Sequence, residues 1–248
     1  MTALGTCHLT RRFGGFTAVD AVSFTLMPGA RHALIGPNGA GKTTFVNLLS
    51  GALPPSEGRV MLFGQDITQL PQHARVRAGL ARTFQVNQLF PQFTPLESVT
   101  LAIGEREGQG TTWWRGARHG AEAARLLDDL HFPEADRGRV TAELPYGRQR
   151  LLEIALALAL KPRVLLLDEP AAGVPPAESR EVMQAIAALP REVAVLLIEH
   201  DMDLVFRFAE RITVLAFGAV LAEGAPEAIA KDPRVREAYL GTAETPHG

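Results

Sequence analysis

The sequence predicts an α/β fold in which a helical insert interrupts the sheet-forming parts of the chain. Short apolar runs bounded by turn residues alternate with amphipathic stretches towards both ends, a pattern typical of buried strands separated by helices. The middle, from about residue 85 to residue 159, contains no convincing strand. With 248 residues, of which 46% are hydrophobic and 21% charged, the chain can bury one sizeable core or two small ones.

The apolar runs predict strands at residues 31–35, 59–63, 80–83, 164–168, 193–198, 211–216 and 219–223. The amphipathic stretches predict helices at residues 43–50, 122–130, 147–160, 178–188 and 201–208. Pro28-Gly29 and Phe217-Gly218 are expected to form turns, and residues 104–120, rich in Gly, Arg and Trp, a loop. We expect one domain over residues 1–248, with a core of about 1–84 and 160–248 and a helical insert of about 85–159.

Bulk properties exclude several classes of protein. A net charge of −2 gives no reason to expect a nucleic-acid partner. The one cysteine, Cys7, rules out an internal disulfide framework and fits a reducing compartment. The N-terminus lacks the pattern of a signal peptide, and no apolar run approaches the roughly 20 residues that span a bilayer. We expect the chain alone to be soluble, so that any membrane role comes through partners.

A glycine-rich segment lies between the predicted strand at 31–35 and a predicted helix. Its residues are Gly36-Pro37-Asn38-Gly39-Ala40-Gly41-Lys42-Thr43, followed by Thr44, and they match the spacing G-x-x-x-x-G-K-[ST]. Glycines let backbone N–H groups curl around phosphate oxygens, and the helix points its positive end at the anion. Lys42 can reach the β- and γ-phosphates, and the Thr43 hydroxyl can bind Mg²⁺. Alone, this phosphate loop indicates a nucleotidase or a kinase.

Two carboxylates, Asp168 and Glu169, end the predicted strand at 164–168. A parallel core strand delivers its last residues to the ligand edge of a sheet. Asp168 can hold Mg²⁺, and Glu169 can polarise an attacking water as a general base. A solvated acidic turn explains the pair equally well by itself, but its combination with the phosphate loop favours the catalytic interpretation.

Several residues together resemble the ABC transporter nucleotide-binding domain, over essentially the whole chain and in family order. Gln85, in Arg82-Thr83-Phe84-Gln85, resembles the Q-loop glutamine, which contacts Mg²⁺ or the attacking water. His200, in Glu199-His200-Asp201, resembles the switch histidine. Phe13 stands where the family stacks an aromatic ring on adenine, and Phe16 is a rival for that role. The resemblance implies an ATPase with a P-loop NTPase (RecA-like) core, an antiparallel β subdomain and an inserted α-helical subdomain.

The run Leu144-Pro145-Tyr146-Gly147-Arg148-Gln149 resembles the family's signature motif. The resemblance implies that Tyr146, Gly147 and Arg148 face the γ-phosphate held by a second ATP-binding subunit, because the two cassettes close head to tail around two ATP molecules. It also implies that a segment of about residues 85–103 contacts a membrane permease.

A narrower resemblance is to the ATPases of branched-chain amino acid importers. It rests on the runs Ala81-Arg82-Thr83-Phe84-Gln85, Tyr146-Gly147, Asp168-Glu169-Pro170-Ala171-Ala172-Gly173, Ile198-Glu199-His200-Asp201-Met202 and Ala238-Tyr239-Leu240-Gly241. It implies a complex of two ATPases, identical or not, with two permeases, which cooperates indirectly with a periplasmic solute-binding protein. It also implies that the chain is a peripheral protein on the cytoplasmic face of the inner membrane. Importers of urea, other amides or other amino acids share the pattern, so the solute stays open.

Three positions depart from the family pattern. Pro145 replaces the signature serine and Arg148 its glutamine, and Pro175 stands where a short dimer-contact loop carries Asp or Asn. Proline is tolerated at a helix start, so the signature helix should form. One hypothesis is that this signature completes a weak ATP site, with Arg148 compensating in part; the alternative is that backbone donors suffice and both sites hydrolyse. Trp113-Trp114-Arg115 is either a partner contact or a local hydrophobic plug.

Other function classes are disfavoured by particular residues. DNA-repair and chromosome-type ABC ATPases need long coiled coils or zinc cysteines, and translation-type members carry two cassettes. A small-molecule kinase has no use for a signature helix or for His200. A non-hydrolysing binding module is hard to reconcile with Lys42, Asp168 and Glu169 together.

Overall fold

The computed structural model describes residues 1–83, 89–108 and 116–240 and divides the chain into two compact units. The sheet unit comprises Met1–Leu80, Arg163–Glu169 and Arg191–Gly248. The helical unit comprises Ala81–Pro162 and Pro170–Pro190. Parallel and antiparallel sheets together with helices confirm the predicted α/β class.

The strands are β1 (Leu4–Phe13), β2 (Phe16–Leu26), β3 (Arg31–Ile35), β4 (Glu57–Leu62), β5 (Gln65–Asp66), β6 (Leu80–Arg82), β7 (Val164–Asp168), β8 (Ala194–Ile198), β9 (Arg211–Ala216) and β10 (Ala219–Gly224). The helices are α1 (Lys42–Ser50), α2 (Gln72–Arg77), α3 (Pro95–Arg106), α4 (Gly116–Asp129), α5 (Tyr146–Ala159), α6 (Pro176–Ala187), α7 (Met202–Phe208), α8 (Pro226–Lys231) and α9 (Pro233–Leu240). None of these helices is both long enough and apolar enough to cross a bilayer.

The larger sheet has the strand order β10-β9-β3-β8-β7-β6. Its central strand β3 is parallel to β8 on one side and to β9 on the other, and β7 is parallel to β8. Ile198 of β8 pairs with Leu34 of β3 and also with Asp168 of β7, so the carboxyl ends of three strands are in register. These strands are buried almost throughout, which explains why continuous apolar runs predicted them well.

The smaller sheet is antiparallel, with the order β2-β1-β4-β5. The sequence predicted β4 but neither β1 nor β2, and the structure supplies a reason. The pairing of β1 with β2 shifts register three times between Thr6 and Arg12. His8 and Ala21 also have positive φ angles, of 46° and 47°. These irregularities break the two-residue alternation by which a strand is recognised.

Arg75 of α2 secures the end of α1, the helix that follows the phosphate loop. Its buried guanidinium donates hydrogen bonds to the carbonyls of Leu48 and Leu49, each at 2.7 Å, and to those of Thr68 and Leu70 at 2.8 and 2.9 Å. Burial lowers the pKa of Arg75 to about 10. The last carbonyls of a helix lack partners within it. Arg75 supplies donors to them, in addition to the Gly51 N–H, which donates to the Leu48 carbonyl at 3.4 Å.

In the helical unit, α3 packs against α4 and α5. The predicted loop at 104–120 is wrong at both ends, because α3 continues to Arg106 and α4 begins at Gly116. Gly104 suggested a loop but lies inside α3, where the His119 ring is 3.6 Å from the position a Cβ would take. Arg106 fastens the pair of helices by donating to Glu122 at 3.0 and 3.1 Å. Gly104 is therefore part of a helix, and a Cβ there would make only an ordinary contact with the His119 ring.

Candidate functional site

Three strand ends of the sheet unit bring the predicted catalytic segments to one edge of the larger sheet. The phosphate loop follows β3, and Asp168 is the last residue of β7. His200 is the second residue after the end of β8. Because β8 lies between β3 and β7, His200 stands between the phosphate loop and the acidic pair. In parallel sheets, ligands bind beyond the carboxyl ends of the strands.

Two glycines of the phosphate loop, Gly36 and Gly41, are required by close backbone approaches. A Cβ on Gly36 would lie 2.2 Å from the Leu215 carbonyl oxygen, and one on Gly41 would lie 2.4 Å from that of Ala18. Gly41 also has a φ of 96°. The loop is tied to the β9–β10 turn, where the Gly218 N–H donates to the Ala40 carbonyl at 3.1 Å. The backbone is thus held in a fixed curve that only glycine permits.

Lys42 points its ammonium back at the loop. Its Nζ donates to the carbonyls of Gly36 at 2.6 Å and Pro37 at 3.0 Å. Partial burial lowers the pKa of Lys42, while the nearby charges of Glu169 and Asp168 raise it. Asn38, Gly39 and Thr43 are exposed and Thr44 is partly exposed, so the outer part of the loop and the start of α1 are accessible. Gly41, the N-cap of α1, has no side chain with which to cap the first amides.

The acidic pair is partly exposed and conformationally constrained. Glu169 has a φ of 48°, a left-handed conformation that is costly for a residue with a Cβ. Its N–H donates to the Ile198 carbonyl at 2.9 Å, which fixes it to β8. Its Oε1 lies 3.7 Å from Nδ1 of His200, and these side chains are 45% and 63% exposed. The two residues are therefore within reach of one bound molecule.

Glu199 is a neighbour that sequence reasoning did not single out. Its side chain is 1% exposed, its Oε2 lies 3.8 Å from His200 Nδ1, and it accepts the His200 backbone N–H at 3.2 Å. This buried carboxylate restrains the backbone of His200 through that hydrogen bond. Its position directly before the histidine was visible in the sequence, but its burial was not.

The two candidate aromatic residues close the β1–β2 hairpin. Phe13 and Phe16 pair across its end and are 44% and 65% exposed. Phe13 does not pack beneath the sheet edge, and the Arg11 guanidinium lies 4.6 Å from its ring centre. Both rings remain accessible, as a residue that stacks on a planar ligand must be.

Tyr239 of α9 reaches the first residue of the phosphate loop. Its hydroxyl oxygen is shielded from solvent and lies close to the backbone N–H of Gly36. Burial raises the pKa of Tyr239, and the nearby Gly36 N–H opposes that rise. The sequence indicated Tyr239 only as part of a family ending, since nothing local shows that the last helix touches the loop.

The signature segment lies in the helical unit at the start of α5. Pro145 is the N-cap and α5 begins at Tyr146, as expected for proline at a helix start. The Gly147 N–H donates to Oε2 of Glu178 at 2.8 Å. Arg148 forms ion pairs with Glu181 and, at 3.6 Å, with Asp136. Both residues are thus engaged by carboxylates of their own unit.

Two predictions fall outside the described residues. Gln85 lies in the gap at 84–88, and Trp113-Trp114 lies in the gap at 109–115. Their proposed roles therefore stay predictions.

Family models match two parts of the chain. A model described as ABC transporter matches residues 19–172, and one described as branched-chain amino acid ATP-binding cassette transporter matches residues 219–245.

Full-length relatives carry corresponding names. The chain is 42% identical over 246 residues to the high-affinity branched-chain amino acid transport ATP-binding protein BraF of Pseudomonas aeruginosa, covering 95% of this chain and 96% of that protein. It is 41% identical, with the same coverage, to LivG of Escherichia coli K12, which carries the same description. A probable LivG of Archaeoglobus fulgidus is 35% identical, covering 99% of this chain and 98% of that protein.

Solved structures agree with the sequence relatives. The ADP conformation of an ATP-binding cassette of an ABC transporter superimposes with a TM-score of 0.84 at 31% identity, covering 97% of this chain and 99% of that one. A nucleotide-free cassette gives 0.83 at 30% identity, covering 96% and 98%.

Proposed function

Because this chain belongs to the ABC transporter family, as an ATP-hydrolysing cassette, we propose that it powers an importer of branched-chain amino acids. The observation that carries the proposal is the register of β3, β8 and β7, which brings the phosphate loop, His200 and Glu169 to one sheet edge. The names of the relatives BraF and LivG support the choice of solute.

The phosphate loop binds the triphosphate through its backbone. The first amides of α1 and the positive end of that helix attract the β- and γ-phosphates. Lys42, now bonded to the carbonyls of Gly36 and Pro37, turns its ammonium to the phosphates, where charge-assisted bonds are stronger than bonds to neutral carbonyls. Phe13, with Phe16 beside it, stacks on the adenine.

The donor set at this edge fits Mg²⁺. The Thr43 hydroxyl and the Asp168 carboxylate are both oxygen donors, and Mg²⁺ typically takes one or two protein oxygens together with phosphates and water. Gln85 is proposed as a further contact. When bound at Thr43 and Asp168, Mg²⁺ would supply positive charge that neutralises the charge developing on the phosphates.

Glu169 orients and deprotonates the attacking water. Its left-handed backbone and its bond to Ile198 fix the carboxylate at the strand end. His200, with Nδ1 3.7 Å from that carboxylate, holds the water or the γ-phosphate in line for attack. A base that is held in position needs no reorganisation at the moment of reaction.

ATP binding is converted into movement by a second cassette. Two cassettes close head to tail, so that α5 of one, with Tyr146, Gly147 and Arg148 at its start, faces the γ-phosphate of the other. The segment after Gln85 transmits the closure to a permease on the cytoplasmic face of the inner membrane. ATP favours the closed pair because it binds that state more tightly, and hydrolysis resets it.

Reconstituted transport tests the proposal. The chain would be assembled with its co-purifying ATPase, permeases and solute-binding protein in vesicles loaded with MgATP, and uptake of labelled leucine, isoleucine and valine compared with that of labelled urea. We expect uptake of the branched-chain amino acids that the Lys42→Ala variant abolishes. Uptake of urea alone would show that the solute is an amide. Uptake unaffected by Lys42→Ala would contradict the proposal that ATP hydrolysis by this chain drives transport.

A further inference from the structure

The N-terminus of the signature helix α5 is occupied by a carboxylate of the same chain. Oε2 of Glu178, in the first turn of α6, accepts the Gly147 N–H at 2.8 Å. A Cβ on Gly147 would lie 2.5 Å from that oxygen and 2.7 Å from the Glu178 Cβ. The glycine is therefore required at this position by Glu178, and the carboxylate fits closely over the start of the helix.

Several other groups at the start of α5 give an incoming anion little to bind. Pro145 has neither a hydroxyl nor an N–H. The N–H groups of Arg148 and Gln149 both donate to the Pro145 carbonyl, at 3.0 and 3.1 Å. The Arg148 side chain forms ion pairs with Glu181 and Asp136. The Gly147 N–H is thus an important donor for a phosphate at the start of α5, and it is already bonded to the Glu178 carboxylate.

We propose that the Glu178 carboxylate occupies the position on the Gly147 amide that the γ-phosphate bound by the partner cassette takes in the closed pair. Glu178 is thus a positioning residue that must be displaced before two cassettes close on ATP. This inference rests on the proposed function, in which α5 faces a phosphate across the cassette pair. A carboxylate and a phosphate cannot share one N–H donor, and two anions at this place repel each other. Glu178 therefore keeps α5 in order in the open state and raises the ATP concentration at which the pair closes.

Replacing Glu178 by Gln preserves shape and a hydrogen-bond acceptor but removes the charge. A charge-assisted hydrogen bond is about twice as strong as a neutral one, so the Gly147 N–H should be released more readily from Gln than from Glu. The repulsion between residue 178 and the γ-phosphate should also be lost. We expect the MgATP concentration for half-maximal pairing to fall by about fivefold in Glu178→Gln. Glu178→Ala, which removes the acceptor as well, should lower it at least as far.

The test uses the full-length chain carrying Glu169→Gln to block hydrolysis, titrated with MgATP, with pairing followed by light scattering. The second ATPase of the transporter is added if the chain does not pair with itself. Glu134→Gln serves as the control, because it removes an equal, exposed charge from the same unit. Binding of ADP to the monomer is measured in parallel and should not change, since the phosphate loop lies in the other unit.

The outcomes separate a positioning role from a structural one. If Glu178 only stabilised the fold, both variants would pair less readily, and the inference would be overturned. An unchanged half-point, or an equal shift in Glu134→Gln, would overturn it too. If the parent chain paired with neither itself nor the second ATPase at saturating MgATP, the proposed function would fail and this inference with it.

Discussion

Replacing Glu169 by Gln tests the catalytic assignment most sharply. The two side chains have nearly the same shape, and the left-handed backbone with its 2.9 Å bond to the Ile198 carbonyl does not depend on the carboxylate. The contact with His200 Nδ1 at 3.7 Å is long enough to tolerate an amide. The substitution should therefore remove the base while preserving nucleotide binding.

The expected loss follows from the value of general-base catalysis. Removing a positioned base costs roughly 10²–10⁴-fold in rate. At about 1.4 kcal/mol for each tenfold change, the barrier to hydrolysis should rise by about 3–5 kcal/mol. The affinity for MgATP should change by less than about twofold, because no bond to the phosphates is removed.

Phosphate release by the assembled transporter at saturating MgATP measures the rate, and calorimetry on the same variant measures binding. Glu192→Gln is the control, since Glu192 is an exposed acid of the same unit and lies away from the site. A Glu169→Gln rate within tenfold of the unchanged protein would refute the assignment. A rate loss caused entirely by weaker binding would refute it as well.

Four further substitutions probe the site and its surroundings. Lys42→Ala removes a charge-assisted bond to phosphate, so calorimetry should show about 10- to 100-fold weaker MgATP binding. His200→Ala should reduce the rate of hydrolysis far more than the affinity for MgATP. If both variants lost affinity and rate to the same extent, Lys42 and His200 would not have separate roles. Arg75→Met removes the guanidinium bonds to four carbonyls and should lower the free energy of unfolding in urea by at least about 3 kcal/mol. The exposed Arg77→Met should lower it by less than about 0.5 kcal/mol. Tyr239→Phe removes the buried hydroxyl that lies close to the first amide of the phosphate loop and should cost about 1 kcal/mol of stability; an unchanged urea midpoint would show that this contact contributes nothing.

The sequence predicted the elements whose environment is uniform. The strand Val164–Asp168 is buried on both faces, so its residues form an unbroken apolar run that can be recognised without a partner. The hairpin of Leu4–Phe13 and Phe16–Leu26 could not be recognised this way, because its bulges interrupt the alternation. Helix Pro95–Arg106 was missed although its signal was present, since Thr94 and Glu97 form a capping box.

The candidate site residues that could be predicted from the sequence are those whose motif lies within a few consecutive residues. The phosphate loop needs its glycines within a few residues of Lys42, and the acidic pair directly follows its strand. Glu178 and Tyr239 were not predicted as site residues because their contacts join distant parts of the chain: Glu178 lies 31 positions from Gly147. Such contacts are decided by how helices pack, which no local pattern reveals.

A crystal structure of the Glu169→Gln chain with MgATP tests the central claim most directly. We expect the triphosphate to lie in the loop at residues 36–44, with Thr43 and Asp168 close to Mg²⁺. We also expect Lys42 Nζ to have left the carbonyls of Gly36 and Pro37 for the β- and γ-phosphates. ATP bound away from this loop, or Lys42 still bonded to both carbonyls beside a fully occupied nucleotide, would contradict it.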